Sequence, residues 1–385
     1  MNRIFADLHI HLGRSESNLP IKITAARNMT FHHVVKEAST QKGISMIGII
    51  DAHSPPIQAE IEEGISNGSY QEHPNGGIRY QDTICILGVE VECKEAHTAP
   101  FHMLAYFPTL EKIKQFTAWL QLHMKNVQLS TQRLYQPVSV FIKKVKSLQG
   151  LVVPAHIFTP FKSMYGSATT SIANLFEPAL LDAVELGLSA DTQMADQISE
   201  LASIPFLTNS DAHSLPKIGR EYNEFWVEEL SFQDFKYVLK KAKGRKIVAN
   251  YGLNPLLGKY YQTYCLVCAK QKPFSRTLCP SCGSTKEVTG VKDRISLVAD
   301  QSSSSPEDRP PYFHQIPLEF IPKVGRKTIA KLIEHFDTEM NIIHQASIDE
   351  IADIANPTLA NYILQARQNK LSLQKGGGGK YGKIT

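Results

Sequence analysis

The sequence predicts an α/β domain followed by a small metal-held module and a helical C-terminal segment. Three observations carry this. Seven strand-like apolar runs alternate with helical stretches over the first 210 residues, two Cys-x-x-Cys pairs stand ten residues apart beyond Gly252, and helical patterns resume near residue 313 after a Ser/Pro-rich stretch.

The strand-like runs are residues 4–8, 46–50, 84–91, 101–107, 151–153, 181–186 and 205–208. The first predicted helix spans 30–42, with Thr30 as its N-cap and Gly43 as its stop. Others are expected near 57–67, 110–134, 137–149, 191–203 and 232–243. Strands that alternate with helices imply a mostly parallel sheet, which periodicity alone does not resolve into a barrel or an open sheet. The first domain covers residues 1–250 and the cysteine-bearing module 255–298. A Ser/Pro-rich linker follows at 299–312, then helices at 313–371 and a flexible Gly-rich tail at 372–385.

At 385 residues, with 42% hydrophobic and 20% charged residues, the chain has the composition of a globular multidomain protein. No apolar run approaches the ~20 residues of a membrane helix, and no leader precedes the first strand, so a cytoplasmic location with no membrane partner is expected. The net charge of +4 is unevenly spread: residues 1–234 carry −7, residues 235–295 carry +11 and residues 296–385 balance. A +11 excess over so short a stretch is the footprint of a polyanionic partner.

Polar residues gather at the carboxyl ends of the predicted strands. They are Asp7-Leu-His9-Ile-His11, Asp51-Ala-His53, Glu90, Pro154-Ala-His156 and Ser210-Asp211-Ala-His213, and His102 joins them from the opening of the fourth run. Parallel α/β folds build their sites at these ends. Residues i and i+2 of a strand share a face, so His9 and His11 enter one cavity, as do Asp211 and His213. Imidazoles and carboxylates are the ligands of zinc and similar metals, and a bridging carboxylate such as Glu90 can hold two cations. His102 is preferred to His97 as a ligand. Asp7 is a ligand or an orienting group, and Asp51 against His53 stays open. His32, His33, His73 and His123 are expected in solvent, and Cys85 and Cys93 in the core.

This ordered series resembles the PHP metal-dependent phosphoesterases over residues 1–230. The resemblance implies a distorted (β/α)7 barrel whose carboxyl-end face holds two or three divalent cations (Zn2+, Mn2+ or Mg2+). It implies metal ligands among His9, His11, Asp51, His53, Glu90, His102, His156, Asp211 and His213, with Asp7, His9, His11, Glu90 and Asp211 serving catalysis. Many PHP members carry a further histidine shortly after the His-x-His pair. Residues 12–18 here (LGRSESN) contain none, so a third metal is in doubt.

Cys265, Cys268, Cys279 and Cys282 have the spacing of a closed four-thiolate Zn2+ site, which lets a short segment fold without a core. Lys270, Lys272 and Arg276 lie in this ribbon among aromatic residues, a pairing suited to phosphate contact and base stacking. Farther on, Lys323-Val-Gly325-Arg326-Lys327 opens a helix in the manner of a helix-hairpin-helix motif, where backbone N–H groups hold a DNA phosphate.

The full combination of PHP barrel, four-cysteine ribbon, all-α helix-hairpin-helix-like domain and glycine-rich tail resembles the endonuclease Q family. That resemblance implies a DNA repair endonuclease that cuts 5′ to deaminated bases (uracil, hypoxanthine, xanthine) and to abasic sites. Its partner would be DNA containing damaged bases. A lesion pocket is expected between the barrel mouth and the tail, with Glu185, Ser189, Gly378, Lys380 and Tyr381 as candidates.

Overall fold

The structure, a computed structural model, describes residues 1–302, 305–322, 324–368 and 370–384. Ten strands frame the site: β1 (Asn2–Ile10), β2 (Met46–Ile49), β3 (Thr83–Cys93), β4 (Phe101–Phe107), β5 (Leu151–Pro154), β6 (Val184–Glu185), β7 (Phe206–Leu207), β8 (Tyr222–Val227), β9 (Lys246–Gly252) and β10 (Tyr312–His314).

β1, β2 and β3 run parallel, and β6 and β7 form a second parallel pair. Asp182 N donates to Val152 O (3.0 Å) and Ile157 N to Glu185 O (2.9 Å), joining β5 to β6. Just past β7, His11 N donates to Ala212 O (3.0 Å), which returns the ring to β1. The result is the distorted barrel the motif series implied. Its sheet is mixed, however, and not mostly parallel: β3, β4 and β5 are successively antiparallel. Only residues 94–100 separate β3 from β4, fewer than a parallel crossover requires.

β1 has two different neighbours along one edge. Its residues Asn2–Ala6 pair with β8, while Ile10 reaches Ala212. Buried amide side chains stand in for the ladder where these partners diverge. Asn209 Oδ1 accepts from Leu8 N (3.0 Å), Asn223 Nδ2 donates to Ala6 O (3.1 Å), and Asn250 Nδ2 donates to Phe206 O (3.1 Å). Each prevents a buried backbone group from going unpaired. A bulge between Asp7 and Ile10 shifts the register against β2 where the His-x-His pair begins.

The strands enclose a buried cluster drawn from around the ring, including Ile4, Met46, Ile86, Leu104, Val153 and Leu207. Helix Phe31–Glu37 is capped by Thr30 and continues as a π-turn to Lys42, where Gly43 stops it in the left-handed region (φ 74°). The helix expected at 110–134 ends at Gln121. Asn126 Oδ1 accepts from Gln128 N (3.0 Å), a local turn that competes with helix and carries Ser130 and Thr131 to the barrel mouth. At 191–203 only Thr192–Ala195 and the 3-10 turn Ser199–Leu201 are helical. Among the described residues, no helix is long and apolar enough to cross a membrane.

Two expected loose segments are tied down. In 299–312, Arg309 donates to the carbonyls of Leu201 (3.0 Å), Ala202 (3.1 Å) and Ile204 (2.6 Å), and β10 then pairs with β9. The tail forms a hairpin, Leu373–Gln374 with Lys383–Ile384, and its Gly376 and Gly382 N–H groups donate to Leu256 O and Leu257 O. The first segment pairs with barrel carbonyls and the second with the carbonyls of residues 256–257 just after β9, contacts that composition does not reveal. Four helices, Arg326–Phe336, Glu339–His344, Ile348–Ile354 and Pro357–Arg367, complete the chain. They dock through Lys42 and Glu339 (2.7 Å) and through Tyr222 Oη and His344 (2.7 Å).

Candidate metal centre

The strand ends bring most of the predicted ligands together. His9 lies in β1 and His11 just past its end, both buried. The Nδ1–H of His9 faces both carboxylate oxygens of Glu185 at 3.0 Å, and the Nδ1–H of His11 faces Asp51 Oδ2 at 3.0 Å. These contacts fix both tautomers, and each ring turns Nε2 toward the same pair of carboxylates. His9 Nε2 lies 3.8 Å from Glu90 and 3.4 Å from Asp211, and His11 Nε2 lies 3.5 Å and 3.6 Å from them. From β4 and the end of β5, His102 and His156 approach Glu90 Oε1 at 2.8 and 3.5 Å. His213 stands 3.7 Å from Asp211.

Three groups have ligand atoms within 4.8 Å of one another: His9, His11 and Glu90; His11, Asp211 and His213; and Glu90, His102 and His156. Glu90 belongs to two of them, as a bridging carboxylate should. The donor set fits divalent cations on a further count. His9 Nε2, Glu90 Oε1 and both nitrogens of His102 are buried without a hydrogen-bond partner among the described residues. Buried polar atoms left unpaired are costly, and a shared cation would satisfy His9 Nε2, Glu90 Oε1 and one of the two His102 nitrogens together. Electrostatics agree. Burial opposes charge on His9, yet Glu185, Asp211 and Glu90 overcome it and raise the ring to about 10. Burial and Lys22 instead lower His11 to about 4. His156 and Asp211, with φ of 31° and 46°, sit in the left-handed region, a strain typical of functional positions.

Asp51, His53 and Asp7 fall outside these groups. Asp51 Oδ2 is engaged by His11 and by Leu12 N (2.8 Å), so it orients a ligand. His53 is buried beside Lys22 and Asp51 and belongs to none of the ligand groups. Asp7 accepts from Ser210 N (3.1 Å) and Gly219 N (2.9 Å), holding the loop that carries Asp211 and His213. Burial raises its carboxyl to about 6.

A cavity of about 340 Å³ opens over the cluster. Its rim is formed by Lys162, Arg220, Lys259 and Phe161, which the sequence did not single out, and by Tyr260, one of the aromatics beside the basic ribbon residues. Arg220 donates to Ser210 O (2.9 Å) and to Tyr381 Oη (3.3 Å), and Lys259 stands over the rings of Tyr260 (5.0 Å) and Tyr381 (5.7 Å). The rim groups come from three separate loops, at 161–162, 220 and 259–260, so no single local motif announces them.

Of the lesion-pocket candidates, Glu185, Ser189 and Tyr381 line this cavity. The oxygens of Glu185 are already taken by His9, His156 N (2.8 Å) and Asn209 (3.0 Å), which makes it an orienting group. Gly378 abuts the ribbon, where an added Cβ would lie 2.4 Å from Ala269 O, and Lys380 is exposed in the hairpin turn. Neither reaches the cavity.

Cys265, Cys268, Cys279 and Cys282 hold their sulfurs within 4.8 Å of one another. Backbone N–H groups at Cys268 and Val267 lower Cys265 to about 6, toward the thiolate a metal binds. Lys270 and Arg276 are exposed, but Lys272 is buried and paired with Glu287. This corrects the expectation for Lys272, whose charge is spent inside the module. Gly325 caps the helix opened by the exposed Arg326 and Lys327, and Lys323 lies outside the described residues.

A PHP-associated family model matches residues 191–243. The lesion-specific endonuclease PfuEndoQ from Pyrococcus furiosus is 33% identical, with a TM-score of 0.87, 100% of this chain covered and 95% of that one. The chain belongs to the endonuclease Q family. A second endonuclease Q structure, a complex with a 27-mer duplex bearing an abasic lesion at the active site, matches at 32% identity and a TM-score of 0.87, covering 100% and 96% of the two chains. The uncharacterized protein YqxK of Bacillus subtilis is 50% identical over the full length of both chains. MJ0043 of Methanocaldococcus jannaschii is 39% identical over 59% of this chain, which spans 31% of that longer protein.

Proposed function

We infer that this member of the endonuclease Q family is a metal-dependent DNA repair endonuclease. In this reading it cuts the phosphodiester bond 5′ to deaminated bases (uracil, hypoxanthine, xanthine) and to abasic sites. The reading is carried by the imidazole–carboxylate pocket in a chain whose full-length relative binds an abasic duplex at its active site.

His9, His11, Glu90 and Asp211 would hold one divalent cation, and Glu90, His102 and His156 a second, with His213 beside Asp211. Such ions supply Lewis-acid stabilisation of the phosphoryl oxygens and an acidified water as nucleophile. Asp51 and Glu185 keep the two β1 imidazoles in the ligating tautomer, and Asp7 fixes the loop of Asp211. Lys162, Arg220 and Lys259 neutralise DNA phosphates at the rim. Phe161, Tyr260 and Tyr381 offer ring faces to a nucleotide drawn out of the stack, which an unpaired or mispaired base leaves at least cost. Deaminated bases carry a carbonyl where the parent base has an amino group. Donors around Ser189 would pair with the carbonyl and be left unpaired by the amino form. Residues 1–250 would carry the chemistry and 255–298 a structural Zn2+. Exposed Lys270, Arg276, Arg326 and Lys327, with the 313–371 helices, would grip the duplex.

A panel of end-labelled duplexes tests this: one undamaged, the others with a single uracil, hypoxanthine or abasic site. The expected result is a single nick 5′ to each lesion and none in the undamaged strand. Equal cutting of all four would remove the lesion specificity.

A further inference from the structure

We propose that Lys22 is a catalytic residue: its ammonium is a fixed cation of the site that contacts a non-bridging oxygen of the scissile phosphate. The inference rests on the endonuclease reading above.

Lys22 Nζ lies 3.2 Å from His11 Nε2, 3.2 Å from Glu90 Oε2 and 2.5 Å from Thr131 Oγ1. Its side chain is 15% exposed, and the exposed part faces the cavity above the ligand groups. The backbone fixes this aim. Lys22 N donates to Leu12 O (3.0 Å), Ile21 N to Gly13 O (3.0 Å), and Ser130 N to Ile21 O (3.0 Å). One strand of chain therefore locks the lysine to the segment just after the His-x-His pair and to the loop carrying Thr131. The next residue, Ile23, is 81% exposed, so Lys22 is turned inward from a surface loop.

A purely structural pairing with Glu90 does not explain this arrangement. Lys22 approaches Glu90 at Oε2, whereas His9, His102 and His156 approach Oε1, so the ammonium stands at the carboxylate oxygen turned from those three imidazoles. Burying a lysine is itself costly. The same ammonium sits on the side of the pocket where His53 stands apart from the ligand groups, with its Nδ1 lacking a partner among the described residues. A phosphate entering the cavity meets the ammonium directly, and hydrolysis piles charge onto the non-bridging oxygens. During the step, the water oxygen forms its bond to phosphorus as the bond to the leaving sugar oxygen breaks. The water gives up a proton to solvent and the leaving oxygen takes one up. Lys22 keeps its proton and forms no covalent bond.

The test compares wild type with Lys22→Met, Lys22→Gln and Lys22→Arg on an abasic-site duplex. It measures single-turnover nicking, DNA affinity and metal per chain by elemental analysis. Lys22→Gln keeps polar contacts to Glu90 and Thr131, which guards against a folding defect in Lys22→Met. The expected result for both neutral variants is a loss of about 100-fold or more in rate, with affinity within about 3-fold and metal content unchanged. Lys22→Arg should recover part of the rate. Neutral variants that keep more than a third of the wild-type rate would overturn the proposal. So would a rate loss that tracks lost metal and is restored by raising the metal concentration, because Lys22 would then only order Glu90. Failure of wild type to nick the duplex would instead sink the endonuclease reading.

Discussion

Glu185 and Asp51 are both fully buried carboxylates that take the Nδ1–H of an imidazole, and neither belongs to a ligand group. Their contribution is to decide which nitrogen of His9 and His11 carries the lone pair toward the pocket. Glu185→Gln tests this at nearly constant volume. Its amide can donate to His9 Nδ1, which would place the proton on Nε2 and block that ligand position. Metal affinity should fall by about 10–100-fold while the melting temperature changes little. Unchanged affinity by titration calorimetry would mean that the carboxylate does not set the tautomer. The candidate ligands His9, His11, Asp211 and His213 were grouped from the sequence because alternation along a strand puts i and i+2 on one face, and their side chains do converge. Asp51 and Glu185 were harder to assign. Their roles depend on contacts with residues 40 and 176 positions away, which no local pattern encodes.

At the scale of elements, strands β1 to β7 were readable because their apolar runs are buried inside the barrel. β8 and β9 were missed. Their sequences, YNEFWV and KIVANYG, include Asn223 and Asn250, which read as turn residues yet serve as ladder substitutes between strands. The tail was read as flexible from its glycines. Those glycines instead permit a close approach to residues 257–258 and 269, as at Gly376 and Gly378. The cysteine module was legible from spacing alone. It is small, its paired strands are two residues each, and Leu266, Val267 and Leu278 remain exposed, so the four thiols must supply its local stability. Cys265→Ala should release one zinc per chain and unfold residues 255–298, while the barrel keeps its own metal. Hydrogen exchange that stays protected in this segment, with zinc retained, would contradict a structural metal there.

For the whole molecule, charge and chemistry are divided between regions. The N-terminal 234 residues, with a net −7, carry the metal pocket, and the +11 excess of residues 235–295 is spread around it: Lys259 lines the pocket, whereas Lys246 lies level with Arg3, at the opposite end of β1 from His9 and His11. Lys272 is withdrawn from that excess by Glu287, leaving Lys270 and Arg276 exposed on the module. Binding to a duplex should weaken steeply with salt, by roughly 0.9 log units per log unit of salt for each phosphate contact. Lys270→Glu with Arg276→Glu should flatten that slope, whereas Lys272→Met should disturb the stability of the module more than the slope. An unchanged slope in the double variant would place the DNA footprint elsewhere.

The central claim is that the pocket around Glu90 and Asp211 cuts DNA, while the surfaces around it do the binding. Asp211→Asn tests it most directly, because the substitution keeps the size of the side chain and removes its charge beside His9 and His11. Single-turnover nicking and equilibrium affinity are measured on the same abasic-site duplex. The account predicts nicking reduced by at least about three orders of magnitude, with affinity within a few-fold of wild type. A variant that still nicks at the wild-type rate would contradict the account.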